Sequence, residues 1–201
     1  MFPQLHTERL LLRELRPDDA PALLAIHADA AHMRWYGADP VATPDDAARL
    51  VELYAGWRRM PNPGTRWGIV RREDQALIGT CGLFKWNRGW RRCTTGYELA
   101  ASEQGRGYMR EALTAVFAYG FDEMALNRID ASVHPGNAAS IRVLSAFGFT
   151  REGYTREAGF WGGRYHDLVE FGLLRRDFRA FPGRAGVEPA TCAEAAGADD
   201  A

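Results

Sequence analysis

The stretch from Tyr97 to Leu113, YELAASEQGRGYMREAL, constrains this chain more than any other. A strand-like apolar run precedes it and a helical pattern follows. Between them stand Gly105 and Gly107, separated only by Arg106. A chain that passes through glycines straight into a helix leaves the first helical N–H groups without internal partners. Glycine admits positive φ and close approach of a ligand to the main chain. The helix dipole adds partial positive charge at the same place. Two readings stay open on these residues alone: a glycine-relieved turn, or an anion site suited to phosphate or pyrophosphate. The third spaced glycine of the dinucleotide fingerprint is missing, and so is the Lys-Ser/Thr of a P-loop.

The flanking sequence sets the frame around this junction. Met109, Leu113, Val116, Phe117, Gly120 and Met124 recur at helical spacing and predict an amphipathic helix after the glycines. Before them, residues 66–71, 76–86 and 92–101 read as three strands of an antiparallel meander, turned at Asn87-Arg88-Gly89. Residues 7–14 predict an opening strand. Pro17-Asp18-Asp19 and Thr43-Pro44-Asp45-Asp46 each open a helix, the second with an N-cap threonine. Residues 128–134 predict a β-branched strand. Residues 137–147 predict a helix stopped by Gly148. Residues 153–159 and 164–174 predict two last strands. The sum is an α/β (α+β) fold. Its mixed, mostly antiparallel sheet has about seven strands, with about four helices on its faces.

Residues 1–177 are expected to form one domain. The rest, rich in Gly, Ala, Pro and acids, is expected to be a disordered tail over 178–201. A formal net charge of -1 gives no reason to invoke nucleic acid. No apolar run approaches the ~20 residues of a membrane span, so no membrane partner is expected. Cys81, Cys93 and Cys192 are far apart, with no CxxC pair, so neither a metal site nor a disulfide framework is predicted. A reducing cytoplasm fits this usage. No GxSxG elbow and no readable Cys–His or Ser–His pair suggests a covalent nucleophile.

Four segments together resemble the GNAT acyltransferase superfamily, and within it the ribosomal-protein N-acetyltransferase (RimJ/RimL-like) branch. Gln104-Gly105-Arg106-Gly107-Tyr108-Met109 is similar to its glycine loop. Val133-His134-Pro135-Gly136-Asn137-Ala138-Ala139-Ser140, followed by Phe147-Gly148-Phe149, resembles a second signature. Thr7-Glu8-Arg9-Leu10 with Leu12-Arg13 and Gly163-Arg164-Tyr165-His166-Asp167 match the opening and closing motifs. The four occur in the right order over residues 7–176.

The resemblance implies acetyl-CoA as co-substrate, an amine as acceptor (small molecule or protein N-terminus) and direct attack without an acyl-enzyme. Gln104 to Met109 are expected to cradle the pyrophosphate. Leu99, Ala100 and Ala101 are expected to pair their backbone with the pantetheine arm, and one amide there to polarise the thioester. Glu98 is the expected base. A carboxylate near pKa ~4.3 is weak against an ammonium near 8, so burial should raise it, or the neutral amine must bind. Asn137 reads as a helix N-cap with Ser140 at N3. The resemblance adds a pantetheine contact for Asn137 and the leaving thiolate for Ser140, because Leu144 stands where many members carry a tyrosine. Trp35 and Tyr36 are assigned to the acceptor wall or to core packing. Trp86, Trp90 and Trp161 could line the same cleft or a dimer contact, and a homodimer stays open. His134 reads more as a packed strand residue than as a catalytic one, and His166 and Asp167 as serving structure or the acceptor pocket. Two alternatives stand beside this reading: another acyl-CoA such as succinyl-CoA, and a non-catalytic CoA-binding module.

Overall fold

The computed structural model describes residues 2–181. Its centre is one eight-stranded sheet in the order β1-β2-β3-β4-β5-β6-β8-β7. The strands are β1 (Leu5–His6), β2 (Leu10–Arg13), β3 (Thr65–Arg71), β4 (Leu77–Asn87), β5 (Arg92–Leu99), β6 (Arg128–Val133), β7 (Thr150–Trp161) and β8 (Arg164–Leu174). The helices are α1 (Ala20–His27), the single turn α2 (Ala30–Met33), α3 (Pro44–Gly56), α4 (Tyr108–Asp122) and α5 (Ala138–Phe147). The mixed, mostly antiparallel sheet expected from sequence is present. Its eighth strand arises because the predicted opening strand has a partner in front of it: Leu5 faces Leu12 across a tight turn held by Thr7.

Local chemistry accounts for the helix ends. Thr43 caps α3 through Asp46 N–H, with Pro44 in the first turn. Asn137 caps α5 through Ser140 N–H at 3.0 Å. Gly148 ends α5 at φ 96°, and a Cβ there would meet the Asp177 carbonyl oxygen at 2.3 Å.

Two apolar clusters hold the helices on the sheet. The larger joins Trp67, Ile69, Leu83 and Ile129 to Leu113, Phe117 and Phe121 of α4 and Leu144 and Phe147 of α5. The smaller joins Leu15 to Leu23 of α1 and Val51 and Tyr54 of α3. Phe178 and Phe181 fall in the predicted tail, yet both pack on Phe147, at ring separations of 6.3 and 4.9 Å. The packed chain therefore runs at least four residues past the expected boundary at 177, because two aromatic rings there have core to cover. The remainder of the predicted tail, 182–201, lies outside the described residues.

Candidate active site

All neighbouring strands are antiparallel except one pair. β5 and β6 are parallel, joined by α4 as the crossover that a parallel pair requires. They pair over three residues only: Arg92 with Arg128, Cys93 with Ile129 and Thr94 with Asp130. Beyond that point they part. Residues 95–98 of β5 and 131–133 of β6 then line a cleft of about 130 Å³. Trp35 and Tyr36 close one side of it, and Asn137, the N-cap of α5, with Ser140 and Leu144 of α5 close the other. The sequence places these residues on four separate segments, and the splay brings them to one cavity.

Tyr97 and Glu98 are adjacent on β5, so their side chains take opposite faces. Glu98 turns toward α1 and α3. Its carboxylate is only 2% exposed. Thr80 Oγ1 donates to Glu98 Oε1 at 2.8 Å, and Thr80 in turn accepts from Arg66 Nε at 2.8 Å. Arg66 Nη2 stands 3.7 Å from Oε1, and His27 Nε2 stands 3.3 Å from Oε2. These two contacts are close but poorly aligned, so they act chiefly as charge and dipole. The Val41 N–H donates to His27 Nδ1 at 3.1 Å, which assigns the ring proton to Nε2, facing Glu98. Arg66 also lies over the Tyr54 ring at 4.9 Å, and Tyr54 and Tyr36 share a hydroxyl contact of 2.7 Å.

This surrounding reverses one expectation. Burial pulls the Glu98 pKa up, but the His27 ring, the Arg66 charge and the Thr80 hydroxyl outweigh it and hold the carboxyl below its ordinary value. Glu98 is therefore ionised throughout the neutral range, and a buried, weakly basic carboxylate is what the site contains. His27, Arg66 and Thr80 escape a sequence reading. Arg66 looks like a strand-end charge and His27 like the last residue of a helix, and only the sheet register brings them to Glu98.

Tyr97 turns to the other face. Its hydroxyl lies 2.7 Å from Ser140 Oγ. Burial raises the Tyr97 pKa, so the phenol keeps its proton. Tyr97 is a further residue the sequence reading does not single out, although it lies beside Glu98. Leu144, where many GNAT members have tyrosine, is fully buried in the cleft wall.

Just past the cleft the chain reaches the glycine junction. The Ala100 N–H is bonded to Ile78 on β4 at 2.8 Å. Successive strand amides point to opposite edges, so Leu99 N–H faces the edge that β6 has left. Ala100 is thus committed to β4, and Ala101 begins a short 3₁₀ turn over Ala101–Glu103. Of the two strand amides, Leu99 and Ala100, the Leu99 N–H is the one on the open edge. Gly105 and Gly107 have φ of 75° and 83°. Gly107 is the N-cap of α4, and no side chain caps the helix. Gln104, Gly105, Arg106 and Gly107 are exposed, Tyr108 is buried and Met109 packs on the core. A positive-φ glycine pair before an uncapped fifteen-residue helix suits an anion.

Other candidates lie elsewhere. Trp90 is 72% exposed on the β4–β5 turn, and Trp86 packs on the core below Arg88. Trp161 stacks on His166 at 3.7 Å, and His134 stacks on Trp35 at 3.9 Å. These rings pack against one another behind Trp35. Asp167 accepts from Tyr154 and from the Glu157 N–H. Burial pushes the Cys81 and Cys93 thiols up to about 12, so neither is a ready nucleophile. Cys192 lies outside the described residues. Among the described residues no cluster of three His, Cys, Asp or Glu could hold a metal ion, and no helix is long and apolar enough to cross a membrane.

A splayed parallel pair in an antiparallel sheet, with an uncapped, glycine-led helix start beside it, has the form of an acyltransferase. The family profile described as "Acetyltransferase (GNAT) domain" matches residues 9–150. The chain belongs to that family and is an N-acetyltransferase. It is 33% identical over 175 residues to the "Uncharacterized N-acetyltransferase YoaA" of Bacillus subtilis (strain 168), covering 87% of this chain and 98% of the relative. It is 28% identical over 190 residues to the "[Ribosomal protein uS5]-alanine N-acetyltransferase" of Escherichia coli (strain K12), covering 90% and 94%. Among solved structures, spermidine N-acetyltransferase from Vibrio cholerae in complex with CoA and spermine superposes with TM-score 0.72. The two share 25% identity, with 84% of this chain and 97% of that one covered.

Proposed function

We propose that the protein transfers an acetyl group directly from acetyl-CoA to an amine, a protein N-terminal α-amino group or a small polyamine-like acceptor. The observation that carries this reading is the convergence of the candidate site residues on one cleft at the β5–β6 splay. Glu98, Ser140, Asn137 and Tyr36 all line it, and the glycine loop lies a few residues beyond. The backbone of residues 104–109 would hold the pyrophosphate, and a side chain at Gly105 or Gly107 would be strained there by positive φ. Leu99 N–H would polarise the thioester carbonyl, where negative charge develops. Ser140, with Tyr97 behind it, would donate a hydrogen bond to the departing sulfur. Asn137 caps the helix that presents Ser140 and lines the pantetheine side of the cleft. Trp35 and Tyr36 would wall the acceptor.

Glu98 would receive the amine proton through water, because its buried carboxylate is not directly accessible to the acceptor. Its depressed pKa makes it a poor base for an ammonium ion. The amine must then arrive largely neutral, and the rate should rise with pH as the acceptor's own amine deprotonates, near pH ~8 for an α-amino group. No Lys or Arg is among the residues lining the cleft, which favours a small neutral acyl group over an acidic one such as succinyl. Cys81 and Cys93 are buried, poorly ionised thiols, which supports direct transfer over an acyl-enzyme on either of them. Sedimentation of the purified chain tests the homodimer.

The function is tested by mass spectrometry. Acetyl-CoA and succinyl-CoA are each offered with peptides bearing free N-termini and with polyamines. A product of acetyl mass on an amine is expected. Product only with succinyl-CoA would transfer the reading to that donor, and CoA binding without any product would leave a CoA-binding module.

A further inference from the structure

The opening motif around Arg9 lies about a hundred residues from the glycine loop, and the fold places Arg9 against that loop. The Arg9 side chain donates from Nη1 to the Arg106 carbonyl at 3.0 Å. Its Nε donates to Glu111 Oε2 at 2.6 Å, and Nη2 pairs with the same oxygen at 2.6 Å. The Arg9 N–H and the Thr7 hydroxyl donate to Glu111 Oε1, at 2.8 and 2.6 Å. The guanidinium lies over the Tyr108 ring at 4.5 Å, and Nη2 is 3.5 Å from where a Gly107 Cβ would stand. Arg9 remains 44% exposed, while Glu111 is 16% exposed.

Two physical consequences follow. A trans peptide points its C=O and N–H in opposite directions. Holding the Arg106 carbonyl on Arg9 therefore turns the Gly107 N–H away from Arg9, toward the open side of the loop, and removes a carbonyl that would repel an anion. Glu111 is the second. A carboxylate in the first turn of a helix suits the dipole, but it competes with an anionic ligand for the same positive end. The forked, charge-assisted contacts from Arg9 neutralise it.

We propose that Arg9 is a positioning residue for phosphate binding: it orients the Arg106–Gly107 peptide and cancels the charge of Glu111. This rests on the reading that the glycine loop takes the pyrophosphate of CoA.

Calorimetry with CoA on the full chain tests it. Arg9→Met should raise the Kd by about tenfold or more, equivalent to about 1.4 kcal/mol. The donor KM should rise in parallel while kcat at saturating donor stays within about twofold, because the loop does no chemistry. Arg9→Met combined with Glu111→Gln should bind CoA at least about threefold more tightly than Arg9→Met alone, since the uncompensated carboxylate is gone. If Arg9→Met does not fold, Arg9→Lys carries the test. It keeps the charge but lacks the fork, and should weaken CoA binding by about threefold or more. A folded Arg9→Met, or in its place Arg9→Lys, with wild-type CoA affinity overturns the inference, as does a double variant no better than Arg9→Met. Gly107→Val separates this from failure of the loop reading. If that variant binds CoA like wild type, the pyrophosphate is not held here at all. If it binds poorly while the Arg9 variants bind normally, only the role of Arg9 falls.

Discussion

Glu98→Gln probes both the stability and the chemistry of the cleft. The carboxylate takes Thr80 Oγ1–H on one oxygen and faces the His27 Nε2–H with the other. Glutamine offers one oxygen and one NH₂, so one of these contacts becomes donor against donor. Thr80 cannot easily invert, because its oxygen already accepts from Arg66 Nε. Arg66, 5% exposed, also loses its buried counter-charge. Removing one partner of a buried pair costs about 3–5 kcal/mol. One retained hydrogen bond lowers that here to roughly 2–4 kcal/mol. For a chain of this size about 3 kcal/mol corresponds to a fall in Tm of roughly 6–12 °C.

The pH dependence has a definite sign. The folded pKa of Glu98 lies below its unfolded value of about 4.3, so its stabilisation is complete above that value and is lost as pH falls through the folded pKa. The gap between wild type and variant should be constant above roughly pH 5 and should narrow in more acid solution. Thermal melts at neutral pH measure the first quantity, and urea denaturation across pH 3–8, an interval spanning the ~4.3 reference, measures the second. A Tm within about 1 °C of wild type, with an unchanged acid limb, would refute the buried-anion account. Turnover is then measured well below the variant's Tm. A large loss with intact CoA affinity supports Glu98 as proton acceptor, and near-normal turnover leaves it a counter-charge for Arg66.

The remaining predictions concern the thiolate side and the domain edge. Tyr97→Phe should slow single-turnover acyl transfer by several-fold, by freeing the Ser140 hydroxyl to rotate, and should add little in a Ser140→Ala background. Additive losses in the double variant would uncouple the two residues. Phe178→Ala should lower stability by about 2 kcal/mol, since its ring packs on Phe117, Phe121 and Phe147. A loss under about 0.5 kcal/mol in urea melts would return the domain edge to 177.

Much of this molecule is written locally. The spacing of Met109, Leu113, Val116 and Phe117 specifies an amphipathic helix wherever it lies. Thr43 and Asn137 cap because their side chains reach amides three residues on. Gly107 takes positive φ because glycine does so without strain. Such features depend on neighbours within one helical turn, so the element order after β1 and the glycine-led helix start are legible without the fold. Long-range pairing was not. Which strand lies beside β5, and that it pairs for three residues and then departs, depends on register across the sheet. So do the contacts of Arg66 and His27 with Glu98, of Tyr97 with Ser140 and of Arg9 with the Arg106 carbonyl. Residue type told that Glu98 could carry charge. Only the tertiary structure decided that buried donors keep it charged, because a pKa answers to every group within a few ångströms, however far away in the chain.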